Sequence, residues 1–436
     1  METVTIETRC GRITGEVQNG IRMFRGIPYA TAERFEKPVQ ITSWDGVYDA
    51  TGMAVEAIQL GTYMDQNDNF YYKEFRDGDE FKYGENPITL TVIAPESAEN
   101  LPVLIYIHGG GFFTGWQSSV PGGVTHEYAE RGIVFVSISY RVNVFALYDQ
   151  RNLHLHDQLT AIKWVRDNIG DYGGDGGNIT LIGQSAGAMS VFELLYTDCL
   201  KGIVKGAVMM SGAGFFPSFG NGYTREEARP FWDSVMKEAG ASDEQELKKI
   251  PAEQLWKAWW KLKQQQKGFH LDQPGPDGEM IPCHGSEIRK SGRLLDIPLM
   301  VGVTGQDMIL PLIMFTMTRD FLMWSARRDR KSVYAYYFDR IPPGNNGRSF
   351  HACDLWYVFG CMDKSHRPFT EEDYALSREM IEAVTQFTKT GEATWEPFTL
   401  RHRKFRVFNT GKRKYGGLLY ALPELLHNTL FERGPF

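Results

Sequence analysis

Six short segments of the chain are continuously apolar, a pattern typical of strands that are buried on both faces. They read ITLTVIAP, PVLIYIHGG, GIVFVSISYR, NITLIGQS, KGAVMMSG and IPLMVGVTG. Strands of parallel sheets have this composition because helices cover both faces of the sheet. Helical patterns lie between them, for example at 157–169, where apolar residues at helical spacing follow an acidic first turn. This alternation predicts an α/β fold with a large, mostly parallel central sheet.

The flanking segments predict further elements. Polar and apolar positions alternate around Gly11 and Gly20, which predicts a meander of strands near the N-terminus. SVYAYYFDR and KFRVFNT are predicted late strands, and 418–431 is predicted to be a closing helix. Two charged or apolar helical blocks, at about 223–270 and 308–330, are expected to be insertions over the carboxyl edge of the sheet, where open α/β sheets bind ligands. We expect residues 1–436 to form one domain.

Composition narrows the class of protein. The 436 residues carry a formal net charge of −7, which argues against a nucleic-acid partner. No apolar run reaches the roughly 20 residues that a membrane-spanning helix needs, and the N-terminus lacks the pattern of a signal peptide. The five cysteines are odd in number and scattered, which argues against a disulfide framework and against a zinc site. We expect a cytoplasmic protein that uses neither a metal nor another cofactor, and the sequence leaves its oligomeric state open.

The segment Gly183-Gln184-Ser185-Ala186-Gly187 matches the pattern G-x-S-x-G. It follows an apolar strand and opens the helical segment AMSVFELLY. In that context a sharp turn from strand to helix would hold Ser185 at its apex, and glycines would be needed because side chains two positions away do not fit. The alternative interpretation is an ordinary turn in which Ser185 caps the helix.

A second glycine-rich segment, His108-Gly109-Gly110-Gly111-Phe112, closes the strand PVLIYI. Successive glycines expose backbone N–H groups, which can stabilise the oxyanion of a tetrahedral intermediate. Alone, the segment would be interpreted as a flexible loop. A serine turn downstream in the same sheet favours the catalytic interpretation.

A nucleophilic serine needs a base and an acid, which in this type of fold follow the serine in the order acid, then histidine. Asp307 follows the apolar strand IPLMVGVTG and is the candidate acid, whereas other aspartates in that part of the chain lie in loops or before strands. His351 lies in a Gly/Pro-rich loop and is the candidate base. His366 is the alternative, and His402 lies in the basic turn RHRKFR.

These motifs together resemble the type-B carboxylesterase/lipase family, α/β-hydrolases that include the cholinesterases. The likeness runs nearly end to end, through GRITGEVQNGIRMFRGIPYA, LPVLIYIHGGGFFTG, HDQLTAIKWVRDNIGDYGGDGGNITLIGQSAGAMSV, PLMVGVTGQD and SFHACDLWYVFG. The resemblance implies an α/β-hydrolase fold with Ser185 as nucleophile, Asp307 as acid and His351 as base. It also implies an oxyanion hole formed by the N–H groups of Gly110, Gly111 and Ala186.

The sequence departs from the family pattern at three positions. Gln184 stands where the family usually has a glutamate, so we expect little preference for cationic alcohols. Asp307 is followed by Met308, whereas the family acid is often a glutamate followed by glycine. Pro87 stands at the position of the family's early disulfide cysteine, which supports an intracellular member.

We therefore expect a serine carboxylesterase that cleaves small to medium, uncharged or aromatic esters through an acyl-enzyme. The predicted pocket residues are Phe112, Phe113, Trp116, Gln184 and Phe215. One alternative is a non-catalytic binding or adhesion protein on the same scaffold, although such forms have lost the nucleophile or its partners. The other is an amidase, since ester and amide cleavage use the same triad.

Overall fold

A computed structural model describes residues 2–62, 64–66, 68–76, 82–115, 125–215, 222–266, 273–305, 307, 311–328, 330–345, 349–411 and 415–417. The strands are β1 (Glu2–Thr8), β2 (Gly11–Gln18), β3 (Ile21–Pro28), β4 (Ala30–Thr31), β5 (Val39–Gln40), β6 (Val47–Asp49), β7 (Glu56–Ala57), β8 (Tyr83–Gly84), β9 (Thr89–Pro95), β10 (Leu101–Ile107), β11 (Val134–Ile138), β12 (Gly174–Gln184), β13 (Val204–Met210), β14 (Leu299–Thr304), β15 (Val333–Phe338), β16 (Lys404–Phe408) and β17 (Tyr415–Gly417). The helices are α1 (Phe70–Phe75), α2 (Glu127–Glu130), α3 (Val144–Leu147), α4 (Leu153–Asn168), α5 (Ala186–Leu194), α6 (Arg225–Ala239), α7 (Glu244–Leu247), α8 (Ala252–Gln265), α9 (Gly285–Ser291), α10 (Pro311–Ala326), α11 (Leu355–Val358) and α12 (Glu371–Thr390). The predicted closing helix at 418–431 lies outside the described residues.

Within the described residues, one sheet of 13 strands dominates the fold, in the order β1-β2-β3-β9-β11-β10-β12-β13-β14-β15-β16-β17, with β6 beside β2. Every neighbouring pair from β11 to β16 is parallel. The N-terminal strands β1 to β3 and β9 pair antiparallel. The predicted large, mostly parallel sheet, its N-terminal meander and the late strands β15 and β16 are therefore confirmed. In the parallel part, all strands end at one carboxyl edge.

Both faces of the sheet are covered, which explains the continuous apolar runs. In β10, Val103, Ile105 and Ile107 belong to a core that includes residues of α4, α5 and α10. The intervening Leu104 and Tyr106 belong to a second core on the opposite face, with residues of α2, α11 and α12. Because side chains alternate along a strand, both sets of positions must be apolar.

The helix predicted at 157–169 begins one turn earlier, at Leu153. Asp157 is not a first-turn acid. Its carboxylate is fully buried and accepts hydrogen bonds from Nε of Arg141 at 2.8 Å and from Nη2 at 2.7 Å. The prediction erred because a buried ion pair, rather than the helix terminus, explains this acidic residue.

The two helical blocks have different places in the fold. Helices α6 and α8, in the 223–270 block, form a third core with Phe112, Ala186 and Met189, so they lie beside the serine turn. Helix α10, in the 308–330 block, joins the parallel strands β14 and β15 and packs on the same face as α5, with the ring centroids of Phe192 and Phe321 5.2 Å apart. It is therefore a crossover helix of the sheet rather than an added cap.

Candidate active site

Ser185 lies at the sharp turn between β12 and α5. Its backbone has φ 55° and ψ −124°, a conformation that few non-glycine residues adopt. The side chain makes no capping hydrogen bond, which argues against the helix-cap interpretation. Its N–H donates to the carbonyl of Met210 at 2.8 Å, and its carbonyl accepts from the N–H of Met189 at 2.9 Å. The hydroxyl is therefore presented at the carboxyl edge by a backbone that is fixed on both sides.

The two outer glycines of the motif are required by close backbone approach. A Cβ atom at Gly187 would lie 2.0 Å from the carbonyl oxygen of Ile107, and one at Gly183 would lie 2.4 Å from the carbonyl oxygen of Gly187. These distances are shorter than any tolerated contact. The turn can form only when both positions lack a side chain, as the motif predicts.

Asp307 and His351 are brought together from different parts of the chain. Asp307 follows β14, and its Oδ1 is hydrogen-bonded to Nδ1 of His351. Its Oδ2 accepts from the backbone N–H of Thr304 at 3.1 Å. The aspartate is fully buried and His351 is only 8% exposed. A carboxylate held in this way fixes the orientation of the ring and leaves Nε2 as the nitrogen that faces away from the acid.

The Nε2 atom of His351 lies beside the serine turn. It is 3.3 Å from the side-chain nitrogen of Gln184, the residue that precedes Ser185. Asp307 and His351 therefore lie together beside the turn that carries Ser185. Gln184 was predicted to line the pocket, and in the structure it is buried and contacts the histidine.

The glycine-rich segment after β10 lies against the same turn. A Cβ atom at Gly109 would be 3.1 Å from Cβ of Ser185, so the backbone of this segment passes directly beside the serine. Gly110, Gly111 and Phe112 all have positive φ, at 111°, 63° and 67°. The turn is held by the N–H of Thr114, which donates to the carbonyl of Gly110 at 3.0 Å. This arrangement is suited to presenting N–H groups to an oxyanion.

The alternative acids and bases lie elsewhere. His366 is exposed, and His402 is part of a turn in which its N–H donates to the Thr399 hydroxyl at 2.9 Å. Asp277 accepts from the Asn152 side chain at 2.7 Å, and Asp296 accepts from the N–H of Lys331 at 3.0 Å. None of these contacts involves the serine turn.

The predicted pocket residues have mixed positions. Phe112 is 1% exposed and packs edge-on against His154, with ring centroids 5.1 Å apart, so it belongs to the core rather than to a pocket wall. Phe113 is partly exposed, and its ring lies 6.0 Å from that of Trp260. The ring of Phe215 packs against that of Trp324, with the ring centroids 4.8 Å apart. Trp116 lies outside the described residues.

A second acid near the histidine was missed from the sequence. Asp354 is fully buried, next to the hydroxyl of Tyr336. Burial, and next the charge of Asp307, raise its pKa from 3.8 to about 7. Its place three residues after His351 was the available signal, but its burial depends on tertiary packing.

Asp354→Asn is expected to flatten the pH dependence of stability. Because the folded protein raises this pKa, Asp354 favours folding while protonated, and that contribution is lost as pH rises from about 4 to 7. Each pKa unit corresponds to about 1.4 kcal/mol. Relative to the wild type, the variant should therefore gain about 3 kcal/mol in free energy of unfolding between pH 5 and pH 8, measured by urea denaturation. The control is Asp45→Asn, because Asp45 is exposed. If the free energy of unfolding changed with pH equally in Asp354→Asn and in the wild type, the expectation would be contradicted.

The described residues give no sign of other common functional sites. They contain no group of three or more His, Cys, Asp or Glu side chains placed to hold a metal ion. None of the described helices is both long and apolar enough to cross a bilayer. The five cysteines are all free.

Comparison with known proteins identifies the class. The model of the Carboxylesterase family matches residues 2–323 and 312–421. The chain belongs to this family, as its motifs predicted, and it is a carboxylic ester hydrolase with the α/β-hydrolase fold.

Particular relatives support this assignment. The chain is 29% identical over 460 residues to the para-nitrobenzyl esterase of Bacillus subtilis (strain 168), covering 90% of this chain and 91% of the relative. It is 36% identical over 252 residues to a probable N-octanoylanthranilate hydrolase of Rhodococcus erythropolis, covering 55% of this chain and 52% of the relative. A solved PNB esterase structure superposes with a TM-score of 0.81 at 25% identity, covering 94% of this chain and 96% of the other.

Proposed function

We propose that the protein hydrolyses carboxylic esters through a covalent acyl-enzyme on Ser185, with His351 as base and Asp307 as its orienting acid. The observation that carries the proposal is the position of the His351 ring. Its Nδ1 atom is hydrogen-bonded to buried Asp307, and its Nε2 atom lies beside the side chain of Gln184. Gln184 directly precedes Ser185, whose backbone has a positive φ. A base oriented by an acid at a serine turn is the arrangement that nucleophilic catalysis needs.

The reaction would proceed in two steps. His351 accepts the Ser185 proton on Nε2 while the serine oxygen attacks the ester carbonyl carbon. The N–H groups of Gly110, Gly111 and Ala186 stabilise the oxyanion, and the imidazolium then protonates the departing alcohol. Water, deprotonated by the same histidine, attacks the acyl carbonyl carbon. The bond between the acyl group and the Ser185 oxygen then breaks, His351 returns the proton to that oxygen, and the carboxylic acid leaves. Asp307 holds the proton on Nδ1 and stabilises the imidazolium throughout.

The substrates are proposed to be small to medium, uncharged or aromatic esters. Support comes from the aromatic contact of Phe113 with Trp260 next to the glycine-rich segment, and from the absence of a charge on Gln184 beside the nucleophile. The para-nitrobenzyl ester named for the Bacillus subtilis relative is of this class. We also propose a cytoplasmic location, in which the five free cysteines would stay reduced.

Amide hydrolysis is the second candidate, favoured by the relative named as a probable N-octanoylanthranilate hydrolase. A binding or adhesion role is disfavoured because all three triad positions hold competent residues. Turnover of 4-nitrophenyl butyrate and of the matched anilide separates ester from amide cleavage. We expect release of nitrophenol and little nitroaniline. Faster cleavage of the anilide would replace the esterase proposal, and no turnover of either would favour a binding protein.

A further inference from the structure

The stretch of chain that carries His351 has a strained backbone. We call residues 350–356 the histidine segment. Ala352, directly after the histidine, has φ 71°, a value that non-glycine residues rarely adopt. Its carbonyl accepts from the N–H of Leu355 at 3.0 Å, which closes a turn within the segment. A strained conformation of this kind persists only where the surrounding structure enforces it, so the contacts of the segment with other elements are informative.

Helix α1, from a distant part of the chain, packs against both ends of the histidine segment. The ring of Phe70 lies edge-on to that of Phe350, with the ring centroids 4.9 Å apart. The ring of Phe75 stacks on that of Trp356, with the centroids 5.7 Å apart. Phe350 directly precedes His351, and Trp356 is the last residue of the segment. The two aromatic contacts therefore enclose the histidine along the chain.

Glu74 of α1 adds hydrogen bonds to these aromatic contacts. Its Oε1 atom accepts from Nε1 of Trp356 at 2.8 Å. The same carboxylate accepts from Nε of Arg367 at 2.8 Å and from Nη2 at 2.7 Å. The guanidinium group of Arg367 lies over the ring of Phe350, with its central carbon 5.2 Å from the ring centroid. Glu74 thus holds Trp356 directly and Phe350 through Arg367.

This pair of charges is buried, which makes its geometry strict. The side chains of Glu74 and Arg367 are 1% and 5% exposed. If one partner of a buried pair is removed, the other charge is left without compensation, and water cannot easily replace the lost contact. Burial, and next the charges of Asp354 and Glu74, raise the pKa of the Cys353 thiol well above its ordinary value. The Glu74 charge therefore acts within the histidine segment itself.

We propose that Glu74 is a positioning residue, which holds His351 in place beside the serine turn by fixing both ends of the histidine segment. The proposal rests on His351 being the base. The hydrogen bond from Asp307 orients the imidazole ring, whereas the place of the histidine backbone is set by the segment that carries it. Displacement of a catalytic group by about 1 Å can lower a rate about 10²-fold, so this placement matters for turnover.

Glu74→Gln is the test variant, because glutamine has the same size but only one acceptor oxygen, so Arg367 or Trp356 loses a hydrogen bond. We expect kcat for 4-nitrophenyl butyrate to fall about 10-fold and KM to stay within about twofold of wild type, since the base moves while the substrate contacts remain. Urea denaturation first establishes that the variant is fully folded under the assay conditions. The control is Glu85→Gln, which breaks a similar fork to Arg34, with hydrogen bonds of 2.7 and 2.6 Å, and should leave kcat unchanged.

A second background shows whether Glu74 acts through the base. In His351→Ala, the further change Glu74→Gln should lower the residual rate by less than about twofold, because the group that Glu74 positions is gone. The proposal would be overturned by equal losses in the two backgrounds, by an unchanged kcat in folded Glu74→Gln, or by a higher KM at constant kcat. Full activity of His351→Ala would instead refute the proposed base, and the proposal with it.

Arg367→Lys decides if Glu74→Gln fails to fold. Lysine keeps the positive charge but cannot bond both carboxylate oxygens as the planar guanidinium fork does. We expect kcat to fall about fivefold at unchanged KM, because the fork rather than the charge fixes the segment. An unchanged kcat in this variant would overturn the proposal.

Discussion

Ser185→Ala is expected to lower kcat for ester hydrolysis by about 10⁶-fold, the size of effect seen when the nucleophile of a serine hydrolase is removed. Alanine removes the attacking oxygen and leaves the turn unchanged, since Ser185 makes no capping hydrogen bond. The oxyanion site and substrate contacts would still give a residual acceleration of about 10³–10⁴ over water. The loss of kcat is measured from initial rates with 4-nitrophenyl butyrate, at enzyme concentrations high enough to detect the residual activity.

Ser211→Ala is the matched control for this change. Ser211 follows the adjacent strand β13, has a similar φ of 53°, and its buried hydroxyl has no hydrogen-bond partner within the described residues. The control should stay within a few-fold of wild type. Loss of activity in Ser211→Ala but not in Ser185→Ala would show that the nucleophile is Ser211, after β13, and would contradict the assignment of Ser185.

His351→Ala is expected to cause a comparable loss, of about 10⁶-fold in kcat, because the serine then has no base and the alcohol no acid. The variant also leaves the Asp307 carboxylate buried without its ring partner, so its free energy of unfolding should be measured in parallel. A folded, inactive variant separates the loss of the base from a loss of structure.

His366→Ala is the control, because His366 is exposed and stands in the same stretch of chain. It should retain near wild-type turnover and stability. If His366→Ala were inactive and His351→Ala active, the assignment of His351 as the base would be wrong.

The sequence was most informative where the backbone itself imposes the residue type. Gly183 and Gly187 are needed because any Cβ would meet the backbone at 2.4 Å or less. The buried strands could be predicted equally well from their continuous apolar segments, because a sheet covered on both faces needs apolar residues at successive positions. Asp307 could be placed because it directly follows one of those runs, at the sheet edge where such folds mount catalytic groups.

Features that depend on packing between distant segments were harder to predict. Phe112 follows the glycine-rich segment, yet its ring turns into the core against His154. The burial of Asp354 is created by elements far away in the chain, and its place three residues after His351 indicates only that it lies near the candidate base. The start of α4 was misplaced because Arg141, 16 residues before Asp157, pairs with that acid.

Covalent labelling tests the nucleophile most directly. The protein is incubated with a fluorophosphonate, which reacts only with a serine whose hydroxyl is activated by a base, and the modified peptide is mapped by mass spectrometry. We expect one phosphonylated residue, Ser185, with loss of esterase activity in proportion to labelling and no labelling in Ser185→Ala. Modification of a different serine with equal loss of activity, or full activity after Ser185 is labelled, would contradict the assignment.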